Sequence, residues 1–541
     1  MVMKSSCKHL IFFLLCLFLL LGFISAKVHY HEFVIQEKQV KRLCNTSTII
    51  TVNGQFPGPT LEANNGDSLV IKVVNRVKYN ISIHWHGLRQ MRNGWADGVA
   101  YVTQCPIKYG GTYTYRINVE NEEGTFWWHA HSPWLRVTVH GALIIYPKEN
   151  SSYPFIQPQR EVPIILGEWW IKNYIQMAKA ALEIGVPPKV SDAILINGQP
   201  GDLFECSSKE TTVIPATTGE TLLLRFINAA MNTELFVSIA GHTMNVVAID
   251  ASYTKPFNTS YIMIAPGQST DVLIQTTHYH GRFYIASHVF NSILPFIGLD
   301  NSTATAILNY DTITPTKPLL PLLPISSNRS SASAFGSRLR SPRRVIIPEP
   351  IDENLFIVVR IGLIERDIAA SMNNVSFMLP KTNSILHAAL FHEYGVFTTD
   401  FPSSPLEKLN KTIKGTRIYK MKYGSVVQMV LQGSNILLTE EHPMHLHGYD
   451  FYVLGTGIGK FKKKRDEYKL NMVDPPRRST VGVPAGGWVV IRFVADNPGV
   501  WFLHCHNEMH TEFGLATAIW VENGVGEMES VISPPDDLPQ C

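Results

Sequence analysis

"GVWFLHCH", residues 499–506, decides how this chain is read. It opens on a glycine, runs through apolar and aromatic residues, and closes on a thiol held between two imidazoles. Two other stretches share the outline, "GTFWWHAH" from Gly124 and "GRFYIASH" from Gly281. Each of the three follows an earlier glycine-led apolar run: "GDSLVIKVVNRVKYNISIHWHG" from Gly66, "GETLLLRFINAAMNTELFVSIAGH" from Gly219, and "GSVVQMVLQGSNILLTEEHPMHLHG" from Gly424. The intervals between paired glycines are 58, 62 and 75 residues (66 to 124, 219 to 281, 424 to 499), so one unit is written three times.

The runs are short, rich in Val, Ile, Thr and aromatics, and bounded by Gly, Pro and Asn, which reads as strands of sandwiches or barrels. The expected fold class is all-β, with three consecutive domains over 27–150, 160–310 and 351–541. "NYIQMAKAALEIG" from Asn173 is the best candidate for a short helix. Residues 311–350 are rich in Pro and Ser and are expected to form an extended linker. The middle copy has "VSIAGH" and "YIASH" where the outer two have paired histidines, so the second domain is expected to hold no metal ligands.

Twenty histidines in 541 residues predict about 0.7 His-x-His pairs by chance. The chain has six, and four of them lie in the repeat strands: His84/His86, His129/His131, His445/His447 and His504/His506. Residues i and i+2 of a strand face one side, so each pair aims two imidazoles into one space. His29/His31 and His278/His280 have no partner pair. Together with His140, His242, His288, His387 and His392 they read as ordinary hydrogen-bonded histidines.

Alternation also sends Cys505 to the side opposite His504 and His506. There His510 follows after a turn, and His442 can join from a neighbouring strand. One thiolate with two imidazoles and a weak fourth ligand suits blue copper. Structural zinc is the alternative, but it usually takes four strong ligands. The covalent run from Cys505 to both flanking histidines can carry an electron between two metal sites, which a redox enzyme needs and a hydrolase does not.

Residues 1–26 have the layout of a secretory signal peptide: lysines, an apolar run, then small residues ending at Ala26. The apolar run is short for a membrane span, which needs roughly 20 residues, so no membrane association is expected. Eight Asn-x-Ser/Thr sequons, at Asn45, Asn80, Asn150, Asn258, Asn301, Asn328, Asn374 and Asn410, suit a glycosylated extracellular protein. Beyond the signal five cysteines remain; Cys505 is the odd one, and Cys44, Cys105, Cys206 and Cys541 allow three pairings. A net charge of +3 argues against a nucleic-acid partner. The basic runs "SRLRSPRR" and "KFKKKR" read first as solvated loops, and second as a weak hold on acidic cell-wall polysaccharide.

The segments "HWHGLRQMRNGWADGVAYVTQCPI", "GTFWWHAHSPWLRVTVHGA", "HPMHLHGYDFYVLG" and "WFLHCHNEMHTEFGL" resemble, in order, the signature of multicopper oxidases and of plant laccases among them. The resemblance implies three cupredoxin-like Greek-key β-barrel domains and four copper ions. It implies a type 1 copper on His442, Cys505 and His510 with Leu515 at a non-ligating axial position, and a type 2 copper on His84 and His445. One type 3 copper would sit on His86, His129 and His506, the other on His131, His447 and His504. Disulfides Cys105–Cys541 and Cys44–Cys206 are implied, with proton roles for Asp97 and Glu508; for Asp97 a plain Asp-Gly turn is the alternative.

The implied reaction is one-electron oxidation of phenols such as monolignols or flavonoids, coupled to four-electron reduction of dioxygen to water. The setting would be the apoplast and the protein a monomer, in lignin polymerisation or degradation or in phenolic detoxification. The alternatives are a sister oxidase acting on ascorbate or ferrous iron, and a non-enzymatic wall protein on the same scaffold. Pro133, Phe513 and the "HNEMH" spelling depart from the family pattern without removing a ligand, and bear on the phenol pocket.

Overall fold

The computed structural model describes residues 26–207, 209–277, 280–291, 300–310, 316–364, 367–405, 412–434 and 440–541. The proposed signal peptide up to residue 25, His278 and the Asn410 sequon lie outside the described residues.

The glycine-led repeat becomes three sandwiches of one design. In each, the domain's first long strand pairs in parallel with the strand after the first repeat glycine: Val28–Arg42 with Ser68–Asn75, Arg160–Trp169 with Thr221–Asn228, and Glu353–Ile364 with Val426–Gly433. The aromatic strand of each unit lies inside the facing sheet: Gly124–Ala130, Arg282–Phe290 and Gly499–Cys505. Its flanking neighbours there are Ile83–His86 and His140–Tyr146 in the first copy, and His442–Leu446 and Ala516–Val521 in the third. Glycine recurs at or just before the start of these strands because Gly124, Gly281 and Gly499 have φ of +124°, +111° and +134°, a region that side chains rarely enter.

Each pair of sheets closes on its own apolar core: Phe33, Ile71, Trp85 and Leu143 in the first; Leu224, Phe236, Ile264 and Ile285 in the second; Leu355, Met429, Ile491 and Trp501 in the third. Alternating burial in Ser68–Asn75 shows one face of that strand packed and the other nearer solvent. The aromatic strands Gly124–Ala130 and Gly499–Cys505 are buried at every position, covered on both faces by the core and by neighbouring domains.

Helix Tyr174–Glu183 forms where expected, with Asn173 as N-cap accepting from Gln176 N at 3.1 Å. The Pro- and Ser-rich stretch differs from its extended reading. It contains a helix, Arg329–Arg338, capped by Asn328, and Phe335 and Leu339 are buried in the second core. Phe335 on the helix, with half-buried Ala332 one turn before it, and Leu339 at the extended C-cap are enough to dock an otherwise polar segment. Cys44–Cys206 and Cys105–Cys541 are disulfide-bonded, and Cys505 is free and buried.

Candidate metal centre

Strand register sets the histidines against one another. In the first sandwich His84 lies opposite His129, and in the third His445 lies opposite His504. The two sheets bring these strands together, so that the rings of His86 and His445 stack at 3.9 Å between centroids and those of His84 and His447 lie 4.0 Å apart. The four pairs thereby enclose one space between sequence-distant domains.

Three groups of histidine nitrogens result there, each within 4.8 Å of one another: His84, His86 and His445; His86, His129 and His506; His131, His447 and His504; a fourth group joins His84 and His447 with Asp97. Burial, aided by neighbouring histidines and Arg136, holds His86, His129, His131, His445, His447, His504 and His506 well below the ordinary imidazole range. These rings are therefore neutral and have lone pairs to give. His84 Nε2, His86 Nδ1, His129 Nε2, His445 Nε2 and His506 Nε2 are buried without a hydrogen-bond partner, while the Nε2 atoms of His447 and His504 face each other at 3.1 Å. Buried nitrogens left unpaired are costly, and metal ions in the shared space would satisfy them.

The opposite ring nitrogens are held by the protein. His84, His129, His445 and His504 each direct Nδ1 to a main-chain carbonyl, of Asp97, Ala130, Ser479 and Cys505. Such contacts fix the tautomer and the ring. His86 Nε2 instead meets Thr480 Oγ1 at 3.1 Å. His506 stands apart, since its Nδ1 faces Arg136 Nη1, a donor, at 3.1 Å.

On the other side of the Gly499–Cys505 strand lies the second centre. Cys505 Sγ is 3.3 Å from His510 Nδ1 and 3.9 Å from His442 Nδ1, and the two nitrogens are 3.3 Å apart. Leu515, fully buried, is tied in by its carbonyl to Cys505 N and by its amide to His510 O. It brings no donor atom, so the donor set is one sulfur and two nitrogens, which suits blue copper. His510 Nε2 points away, 2.9 Å from Glu440 Oε1 at an angle that makes an ion-pair contact and not a hydrogen bond. Burial alone would lower the His510 pKa, but Glu440 and Cys505 raise it to about 10.

Asp97 follows a 3-10 turn, Gly94–Ala96, and is fully buried. Its carboxylate lies 3.1 Å from His447 Nδ1 and 3.2 Å from His84 Nδ1. Burial pushes its pKa up, against the pull of His84. The turn is real as well: a Cβ on Gly98 would sit 1.8 Å from Ile83 O. Glu508 opens the helix Glu508–Glu512, accepts from Trp134 N at 3.2 Å, and lies 3.4 Å from Arg136 Nη1. A cavity of about 430 Å³ reaches His131 and His504 past Ser132, Pro133, Glu508 and Phe513. The two departures at Pro133 and Phe513 thus fall on its wall.

Four contributors are not legible from the motif reading: Arg136, Thr480, Glu440 and the second sandwich. Only Glu440 has a signal, its position two residues before His442. The second sandwich bears none of these ligands yet positions them. Met231 O accepts from Glu508 N and Asn232 Oδ1 from Met509 N, while Glu168 accepts from the amides of Met231 and Asn232. Of the remaining histidines, His29 pairs with Asp67, His140 with Arg136 O, His242 with Ala240 O and Tyr310, His288 with Pro324 O, and His387 with Glu393, whereas His31 departs from its hydrogen-bonded reading, with Nε2 buried and without a partner.

Three sandwiches with a thiolate–imidazole centre backed against an eight-histidine space define a class that the comparisons make explicit. Family models described as "Multicopper oxidase" match residues 34–150, 160–312 and 387–525. The chain belongs to the multicopper oxidase family. It is 53% identical to Laccase-3 of Oryza sativa subsp. japonica over 99% of this chain and 100% of that one. It is also 53% identical to Laccase-12 of Arabidopsis thaliana over 96% of each. The crystal structure of a laccase from Botrytis aclada superposes with a TM-score of 0.79 at 25% identity, covering 94% of this chain and 89% of that one. Within the family the chain stands among the laccases, and it is an enzyme.

Proposed function

We propose that the protein oxidises phenols with dioxygen as a four-copper laccase, with His442, Cys505 and His510 at the type 1 copper and Leu515 at its axial position. His84 and His445 hold the type 2 copper, and two type 3 coppers sit on His86, His129 and His506 and on His131, His447 and His504. The observation that carries this reading is the set of unpaired, buried ring nitrogens converging between the first and third sandwiches. Copper in these positions supplies one-electron oxidation at the type 1 site and four-electron reduction of dioxygen at the other three.

The chain's own residues do the rest. Cys505 is joined through single peptide links to His504 and His506, a short covalent route between the two centres. Asp97, against His84 and His447, and Glu508, on the cavity that reaches His131 and His504, are the proton carriers of this reading. The buried apolar surroundings of Cys505, including Met444, Phe513 and Leu515, keep water from the thiolate.

Substrates are monolignols, flavonoids or related wall phenols. The protein is a secreted, glycosylated monomer of the apoplast, with domains at 27–150, 160–310 and 351–541, a 311–350 linker and a weak hold on acidic wall polysaccharide. Among the described residues no helix is long and apolar enough to cross a membrane, and Asn45, Asn80, Asn150, Asn258 and Asn301 are exposed. The test is oxygen uptake by purified secreted protein against a panel of methoxyphenol, ascorbate and ferrous iron, with copper counted and the visible spectrum recorded. A colourless protein with fewer than four coppers per chain, or one that prefers ascorbate or iron, would end this reading.

A further inference from the structure

We infer that two basic runs more than a hundred residues apart form one docking face for a linear polyuronate, an acidic polysaccharide with a carboxylate on every sugar. Residues 338–344 carry Arg338, Arg340, Arg343 and Arg344 and no acid; residues 460–469 carry Lys460, Lys462, Lys463, Lys464, Arg465 and Lys469 against Asp466 and Glu467. Ten cations and two acids give +8, while the whole chain is +3, so the rest of the molecule is at −5. The charge is segregated, not scattered.

The fold brings the runs together. Ser341 N donates to Asp474 O at 2.9 Å, Val345 N to Val473 O at 3.0 Å, and Ser341 Oγ to Pro475 O at 2.5 Å, which zips the first run along the chain that leaves the second. Ile347, just after the first run, packs with Phe461 and Leu470 of the second segment on one apolar cluster of Leu454, Trp488 and Val490. Apolar anchors from both segments hold them to the same face while the long cationic side chains stay in water.

Part of the charge is already answered: Asp466 pairs with Arg465 and Lys469, Glu467 with Lys463, Asp474 with Arg340, and Arg338 lies over the Phe257 ring. Arg343, Arg344, Lys460, Lys462 and Lys464 are exposed with no ion pair among the described residues. Five open cations drawn from both runs suit a polymer of repeating carboxylates better than a single small anion. Tyr468, 77% exposed within the second run, offers an aromatic face for a sugar ring. This inference rests on the extracellular reading for its choice of polyanion, and deepens the weak polysaccharide hold by giving it a surface.

The test compares the purified holoenzyme with two variants, Lys460→Gln/Lys462→Gln/Lys464→Gln and Arg343→Gln/Arg344→Gln, on immobilised polygalacturonate, single-stranded DNA and neutral β-glucan. The parent is expected to bind polygalacturonate at low salt and release it as salt rises, and each variant to bind about fivefold or more weakly. Retention by DNA equal to or tighter than by polygalacturonate, or parental binding in the Arg343/Arg344 variant, overturns the composite polyuronate face. Oxygen uptake with a small phenol is read on every sample and is expected to stay at the parental rate. Its absence in the parent sinks the oxidase reading alone, while failure of the parent to bind polygalacturonate at low salt, with uptake intact, sinks only this face.

Discussion

Gly267, in the sandwich without ligands, abuts the ring of His506: a Cβ there would lie 2.7 Å from both Cγ and Cδ2 of the imidazole. Its φ of +88° adds backbone strain for any side chain. Gly267→Ala is therefore expected to push His506 out of place and to destabilise the fold by about 1–3 kcal/mol. Copper per chain and thermal unfolding, measured together, check this; a variant with full copper and an unchanged Tm removes the claim.

Arg136 is buried with its guanidinium shared among His506 Nδ1, His506 O, Met231 O and Glu508. Arg136→Gln removes these contacts and leaves His506 Nδ1 without its donor and the ring unsupported. Outer partners of metal ligands are typically worth 10–100-fold in affinity or activity, so dialysis against a graded chelator is expected to strip copper at about tenfold lower chelator concentration. Equal retention in parent and variant would contradict the role.

Cys505→Ser removes the only thiolate from the second centre while leaving the eight histidines across the strand. The expected result is loss of the blue absorption and one copper per chain, with phenol turnover down by more than about a hundredfold. Retained colour would mean that another donor set carries it.

Leu515→Met adds a thioether where the structure has an aliphatic side chain. Electron donation to the oxidised ion should lower the type 1 reduction potential, on the order of tens of millivolts. A redox titration showing an unchanged or higher potential refutes the axial assignment.

Glu122, beside Asp450 and accepting from Arg89 N, has its carboxyl pushed up to about 8, first by burial and then by Asp450. Part of its surface still reaches a cavity of about 460 Å³. A carboxyl that is harder to ionise when folded stabilises the fold below its unfolded pKa, and that stability drains away as pH climbs through the folded value. Glu122→Gln mimics the protonated form. Its Tm should match the parent at pH 5 and exceed it by roughly 2 °C or more at pH 8.5; a gap that is largest in acid reverses the sign and rejects the argument.

Much of this is legible in the sequence because strand geometry is periodic. Alternation alone separates Cys505 from His504 and His506, and the recurring Gly124, Gly281 and Gly499 announce three copies of one unit. What stays hidden is contact made by residues with no pattern of their own. Arg136 sits in an ordinary "WLRVTVHGA", and Gly267 matters only for what faces it. The linker misleads for a related reason: its Pro and Ser content conceals Phe335 and Leu339, which draw residues 329–338 into a helix against the second core.

The eight-histidine space draws half its members from residues 84–131 and half from 445–506. Neither outer sandwich can assemble it alone. Loading with ions therefore has to wait until residue 506 has been made and the first and third sandwiches have met, so long-range docking gates maturation of the centre.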